Sequence, residues 1–274
     1  MKAWIACIIL LMNVYSAYSQ YYYNDILTTR QTNDQYLLLK NNHIQKVTAK
    51  SFEADGSLTE NFMLQQNISS NSDVITTTAE YPSTGNSIST SYYANNRIIK
   101  TIDTVEKIKS TITYSYADNN LASITTTTED NFMNTSSTEV HQWLYQNDQP
   151  VQMLLIKNQV DTTVIDFVKD DEGNIGEEHW NKKGRRTENY FYYYNQQHKL
   201  TDIVRYNTRA QRLLPDFLFE YDNNGALIKF TQIPQGSDDY LIWQYLYAPN
   251  GLKQKEMLFN KQKRNIGTIE YTYR

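Results

Sequence analysis

The chain has little of several things. In 274 residues there is one cysteine, Cys7, with five prolines, nine glycines and four histidines. Its one long apolar run stands at the very start. Each shortage excludes something. Cys7 falls in a leader segment, so the remainder has no disulfide and no cysteine-based metal site, and burial and backbone pairing must hold it together. No glycine-rich loop is present to cradle phosphate, and no Gly-x-Ser-x-Gly elbow to present a nucleophile. The run Ala3 to Met12 is about half the roughly 20 residues a membrane-spanning helix needs. Basic residues number 26 and acidic residues 30, a net charge of −4, which argues against nucleic acid or an anionic membrane as partner.

The opening "MKAWIACIILLMNVYSAYSQ" has the layout of a secretory signal: Lys2, an apolar core, then small residues at Ala17 and Ser19. It predicts cleavage between Ser19 and Gln20 and a mature protein in the periplasm, at the outer membrane or outside the cell. Removing residues 1–19 takes Lys2 from the 26 basic residues and no acid, leaving 25 against 30 and a net charge of −5.

What is plentiful is tyrosine, 23 residues, together with Thr and Asn. Tyr and Thr favour strands and carry a polar end, as suits a sheet wet on one face. Residues 20–42 form an N-terminal segment with one expected helix, Asn24 to Lys40. Asn24 or Asn33 is its expected cap, Asp25 lies in the first turn, and Lys40-Asn41-Asn42 is the stop. From His43 the apolar pattern changes to period two and stays there to residue 274. Asn, Asp and Gly clusters punctuate it, among them Asn95-Asn96, Asn147-Asp148, Asn223-Asn224-Gly225 and Pro249-Asn250-Gly251.

The aliphatic residue after each turn acts as a ruler. Leu58, Ile98, Leu121, Val151, Ile175, Leu200, Leu227 and Leu252 are 40, 23, 30, 24, 25, 27 and 25 residues apart. A period near 25 holds two strands and two turns, so the repeating unit is a β-hairpin, which needs neighbours to be stable. The expected fold class is all-β: an up-and-down antiparallel meander of roughly 16 to 20 strands, its twist curling the long sheet into an open barrel or a two-layered roll. Residues 69–139 are rich in Ser and Thr, whereas 143–259 carry most of the Trp, Phe, Leu and Ile, so the second half is expected to hold the better core.

"FEYDNNGALIKF" resembles the YD repeat of RHS-type proteins, a pattern of Tyr-x-Tyr-Asp-x-x-Gly-x-Leu followed by a strand. Phe219, Tyr221, Asp222, Gly225 and Leu227 fit it. The units at Tyr114-Tyr116 and Tyr245-Tyr247 fit loosely, with Ala in place of Asp. The resemblance covers one unit by motif and most of the chain by periodicity, and it implies a fold style of coiled β-sheet. Alternation puts Phe217, Phe219 and Tyr221 on one face, opposite Glu220.

Three constellations invite a functional reading. In "EVHQW", Glu139, His141 and Trp143 share a strand face, and in "EEHW" Glu177 and His179 share one, with Trp180 on the other. Glu with His is a metal-ligand pair, but no third ligand is indicated, so cross-strand pairing is the favoured reading and neither metal nor cofactor is expected. "KDDEGN" fails as a calcium loop because the twelfth position from Asp170 is Asn181. The aromatic residues Trp180, Tyr192, Tyr194, Trp243 and Tyr245 are candidates for a platform against sugar rings, the competing reading being cross-strand packing.

The sequence thus reads as a secreted or cell-envelope β-repeat protein with a binding or scaffolding role, not an enzyme, whose partner is a glycan or another envelope protein. One alternative is carbohydrate binding or processing on an aromatic sheet face. A further one is an outer-membrane β-barrel, although neither face of "LASITTTTED" or "LKQKEMLF" makes an apolar band.

Overall fold

A computed structural model describes residues 21–81, 85–207, 210–234, 237 and 239–274. The expected leader cleavage at Ser19 lies outside the described residues. One helix, α1 (Asn24–Asn41), precedes β1 (Lys46–Glu53), β2 (Met63–Ile68), β3 (Val74–Tyr81), β4 (Gly85–Ala94), β5 (Arg97–Val105) and β6 (Ile108–Ala117). Next come β7 (Asn120–Asp130), β8 (Thr135–Gln146), β9 (Gln149–Lys157), β10 (Asp161–Lys169), β11 (Ile175–Lys182) and β12 (Arg185–Tyr194). The last six are β13 (Leu200–Asn207), β14 (Arg212–Tyr221), β15 (Leu227–Gln232), β16 (Leu241–Tyr247), β17 (Lys253–Phe259) and β18 (Asn265–Tyr273).

Each strand pairs antiparallel with its neighbours in sequence, and β1 pairs with both β2 and β18. The up-and-down meander is as expected. The sheet is neither open nor two-layered, however: it is a closed barrel of eighteen strands. Closure follows from register. Lys46 to Ala49 pair with β2 while Val47 to Glu53 pair with β18, so β1 spends the donors and acceptors of both its edges. Among the described residues no strand stands at a free sheet edge that could template aggregation.

The repeat is a hairpin whose turn faces one mouth. In seven hairpins, β4/β5 through β16/β17, the register shifts by one residue at the same place, just after the returning-strand residue that pairs with the strand-end position (Ile98, Leu121, Pro150, Ile175, Leu200, Leu227 or Lys253). A bulge there adds twist and bends each hairpin to the curvature of the wall. It also gives the YD motif a physical content. Tyr221 Oη donates to Leu200 O at 2.8 Å, one hairpin back. Five other strand-end tyrosines do the same: Tyr116 to Ile98 O, Tyr145 to Leu121 O, Tyr194 to Ile175 O, Tyr247 to Leu227 O and Tyr273 to Lys253 O. Asp222 Oδ1 accepts the N–H groups of Asn224 and Ala226, and Asn195 serves Gln197 and Lys199 in the same way. Gly225 takes a φ of +80°, where a β-branched residue is strained.

The ruler residues are therefore carbonyl acceptors as well as core anchors. Two need moving: Pro150, rather than Val151, pairs with Tyr145, and Lys253, rather than Leu252, pairs with Tyr247. Leu58 is 59% exposed and anchors nothing, because its turn lies at the other mouth.

Inward residues two and four positions before each latch tyrosine form layers. Trp143, Tyr190 and Tyr192 belong to the largest core cluster with Met153, Ile165, Phe167 and Ile203. Of its buried members only Tyr22 and Leu121 precede residue 143, but a second cluster of Tyr36, Leu39, Val47, Ile68, Ile75, Tyr93 and Ile98 with Leu252 gives the first half a core of its own, so the expected gradient is only partial. Where the first half is rich in Ser and Thr, inward hydroxyls pair instead, as in Ser91 with Thr101 and Ser110 with Thr128. Phe217, Phe219 and Tyr221 line the interior, and outward Glu220 pairs with Lys229.

Chemical denaturation tests this unit. Tyr221→Phe should cost about 1 kcal/mol, the worth of one hydrogen bond. Gly225→Val should cost about 1–2 kcal/mol through the left-handed backbone. Glu220→Gln should stay within about 0.5 kcal/mol, because its ion pair is exposed. A loss from Glu220→Gln exceeding that from Tyr221→Phe would overturn the latch.

Candidate functional site

The mouth ringed by the bulged hairpins is closed by the chain's own N-terminal segment. Residues Tyr21 to Tyr23 enter the barrel and α1 then crosses to the far rim. Tyr21 packs on Phe217 at 5.4 Å between ring centroids, Tyr22 on Trp180 at 4.8 Å and Tyr23 on Tyr192 at 5.4 Å. Tyr36 stacks on Tyr93 of β4 at 4.0 Å. Asn33 Oδ1 accepts the N–H of Ile98 at 2.8 Å, Lys40 Nζ reaches Asn96 at 2.9 Å, and Asn42 meets Asn250 of the β16/β17 turn.

The expected cap is not used. Tyr23 is the N-cap residue and offers no side-chain bond; Asn24 accepts from Thr28, and Asn33 sits mid-helix. The orphan donors at the helix start are met from a strand. Glu178, fully buried on β11, accepts the backbone N–H of Tyr22 at 2.7 Å and of Tyr23 at 2.9 Å. Trp180 Nε1 and Tyr192 Oη donate to the same carboxyl, each at 2.6 Å. Burial pushes the Glu178 pKa upward, against the pull of these four donors. At the C-terminus Asn42 closes the helix as expected, its backbone N–H and Nδ2 both donating to Leu38 O.

His141 on β8 is the second clasp. Its Nδ1 lies 2.6 Å from Asp25 Oδ2 in the first helical turn, and its Nε2 lies 2.9 Å from Glu139 Oε1. Lys157 Nζ holds the other Glu139 oxygen at 3.0 Å. Burial pulls the imidazole pKa down, but the carboxylates of Asp25 and Glu139 outweigh it and push it up to about 10. The hydrogen bond from His141 draws Glu139 down to about 2. The arrangement is an imidazolium bridge between helix and wall. Among the described residues no group of three or more His, Cys, Asp or Glu side chains is placed to hold a metal ion.

"EEHW" divides across the wall. Glu177 and His179 bond to each other at 2.6 Å on the outer face, while Glu178 and Trp180 face inward. The residue that matters most, Glu178, was visible only as one letter of that motif. Its signal was positional: it occupies the place, three residues into the returning strand, that holds Ile124, Met153, Ile203 and Phe230 in other hairpins. Glu256 stands at the equivalent place on β17, buried with Lys253 and Tyr271.

The aromatic candidates do not make an open sheet face. Tyr192 and Trp243 are buried; Trp180, Tyr194 and Tyr245 are half-buried, and all five point inward. An open feature lies elsewhere. Between α1 and the turns of β4/β5, β6/β7 and β8/β9 runs a groove of about 440 Å³, walled by Arg30, Asn33 and Asp34 on the helix and by Asn95, Arg97 and Gln149 opposite. Tyr116 and Tyr145, both latch tyrosines, lie at its base with Leu121 and Pro150.

No protein-family model matches the chain, and no curated protein matches it in sequence. Among solved structures it is similar to a porin-like protein from Bacteroides uniformis, at 10% identity and a TM-score of 0.41, over 84% of this chain and 98% of that one. It is also similar to part of the Tc holotoxin pore of Photorhabdus luminescens, at 12% identity and a TM-score of 0.31, over 78% of this chain and 15% of that one. A third is a complex of TcdB2, TccC3 and Cdc42, at 12% identity and a TM-score of 0.31, over 81% of this chain and 18% of that one. The class that the topology itself defines is a closed, up-and-down antiparallel β-barrel capped by its own helix.

The clasps give a signed pH dependence. His141 has a raised pKa, so its stabilisation is complete below about 6.5 and is lost as pH climbs toward about 10. Glu139 has a lowered one, so its share is complete above about 4.5 and is lost as pH falls toward about 2. Glu178 acts in the opposite sense to Glu139, since its raised pKa makes ionisation disfavour the fold. Comparing wild type with His141→Gln isolates the bridge: thermal melting of the variant should lose the decline between pH 6.5 and 10. An unchanged alkaline limb would sink the bridge. Glu178→Ala, which strands three N–H donors, should cost upwards of about 3 kcal/mol and weaken the near-ultraviolet dichroism of Tyr22 and Trp180.

Proposed function

We propose that this protein is an exported, non-enzymatic binding module of the cell envelope, with the barrel as rigid scaffold and the helix-capped mouth as binding face. The observation that carries the reading is the groove between α1 and three hairpin turns. There, side chains able to hydrogen-bond converge on open space from one face of the helix and from the hairpin turns and strand starts opposite, a concave site with a few convergent polar groups. The leader pattern of residues 1–19 supports export. The absence of a nucleophile elbow or phosphate loop in the sequence supports binding over catalysis.

Barrel closure favours a second reading, a barrel set in the outer membrane. The outer face weighs against it. Lys50, Glu270 and Lys255 stand side by side near the strand midpoints, Lys255 reaching Glu270 at 2.7 Å. Lys229 pairs with Glu220 at 2.6 Å, and Asp166 accepts from Gln152 and Asn181. A Lys at the bilayer midplane costs a barrel roughly 2–4 kcal/mol, and the mid-strand charges on β1, β10, β17 and β18 interrupt an apolar belt there.

Expression from residue 20 onward without detergent separates the two. The binding module should purify as a monodisperse soluble protein and stay in the aqueous phase when mixed with liposomes. Recovery only in detergent, or partition into the lipid, would favour the membrane barrel.

A further inference from the structure

Resting on the binding reading above, we infer that the groove accepts a neutral, polyhydroxylated ligand: an oligosaccharide without charged groups. The helix contributes one face, with Tyr23, Ile26, Arg30, Asn33 and Leu37 recurring at the three- and four-residue spacing that lines them up. The rim opposite is built of amides on the hairpin turns. Charge along the groove cancels, Arg30 and Arg97 being offset by Asp34 and Asp148. An anionic ligand would meet two carboxylates, and a cationic one two guanidinium groups.

The side chains in question are unengaged. Among the described residues, the side chains of Arg30, Asp34, Asn95 and Gln149 form no hydrogen bond or ion pair, and the Arg30 charge acts only on the nearby Tyr23 and Tyr145. They supply pure donors, pure acceptors and amides that do both. A sugar hydroxyl also donates and accepts, so a chain of hydroxyls satisfies such a mixed set, whereas a ligand of one polarity does not. Arg97 is already positioned, donating to Asp118 O at 2.7 Å and Asn119 Oδ1 at 2.6 Å with its guanidinium over the Tyr116 ring. Its fixed place lowers the ordering cost of binding.

A peptide fits less well. Peptides add to a sheet edge or set an apolar side chain in a pocket. The closed barrel has no free edge at the groove, and the apolar floor, Leu121 and Pro150, is already buried.

The test is an immobilised panel of neutral hexasaccharides of glucose, mannose, xylose and N-acetylglucosamine, screened with the mature protein and followed by calorimetry. Arg30→Ala and Gln149→Ala, which remove no side-chain hydrogen bond or ion pair, should each weaken binding about tenfold or more with melting temperature unchanged. No binding to any neutral saccharide, or binding that both variants leave intact, overturns the inference. Hexauronates and a displayed peptide library run in parallel separate the two levels of the argument. A peptide or charged saccharide whose binding is lost in Arg30→Ala overturns the ligand class and leaves the groove as the binding site. If nothing binds in a manner that depends on Arg30 or Gln149, both fall.

Discussion

Closure of the sheet is the constraint on which the rest of this structure depends. A barrel of eight strands is filled by its own side chains, whereas one of sixteen to eighteen leaves space inside. Once β1 has paired with both β2 and β18, eighteen strands enclose more width than inward residues can fill. The chain answers by folding Tyr21 to Tyr23 into the mouth and laying α1 across it. That solution creates its own problem, since a helix start carried into a barrel brings backbone donors away from water. Glu178 on the wall resolves it by accepting from Tyr22 and Tyr23.

The same constraint explains why the repeat is built as it is. Curving a wall of hairpins requires extra twist at regular intervals, and the shared bulge provides it in seven hairpins. A bulge weakens the ladder just where the strands meet solvent at the mouth. The latch tyrosines span that weak point: each hydroxyl ties a strand end to the start of the strand one hairpin earlier, as from Tyr247 to Leu227. The motif Tyr-Asp-x-x-Gly-x-Leu is then a complete mechanical unit. The tyrosine latches, the aspartate gathers the turn's N–H groups, the glycine permits the reversal, and the leucine offers both a side chain to the core and a carbonyl to the next tyrosine.

Much of this was legible because it is local. Period-two patterning, Asn-rich turns and the near-25-residue ruler depend on residues close in sequence, so the meander and the faces of Phe217, Phe219 and Tyr221 could be read directly. Closure was not, because whether β18 meets β1 depends on twist accumulated over every hairpin between them. The site was less legible still. Tyr22 and Glu178 are 156 residues apart, and Asp25 and His141 are 116 apart. His141 stood out as half of a ligand pair with Glu139, but its other partner lies on the helix, so a clasp resembled an incomplete metal site. The aromatics read as a platform were inward-facing for the same reason: alternation says that Tyr192 and Tyr194 share a face, and only closure says that the face is the interior.

Glu178 also bears on how far the capped mouth can differ from the scaffold beneath it. At its position most hairpins carry an apolar or small residue, and a carboxyl there would be costly without partners. Four donors come from three separate places: the N-terminal segment, β11 itself and β12. None of them belongs to the turns that wall the groove. The helix is thus anchored at its start by the barrel interior and along its length by Asn33 and Tyr36, while Arg30 and Asp34 on its outward face take no part in that anchoring. Anchoring and groove residues share one helix, Asn33 serving as both, which is why its apolar periodicity is weak although it is firmly seated. A helix held in this way can vary its outward side chains without loosening its seat, and that separation is what a binding face on a rigid barrel requires.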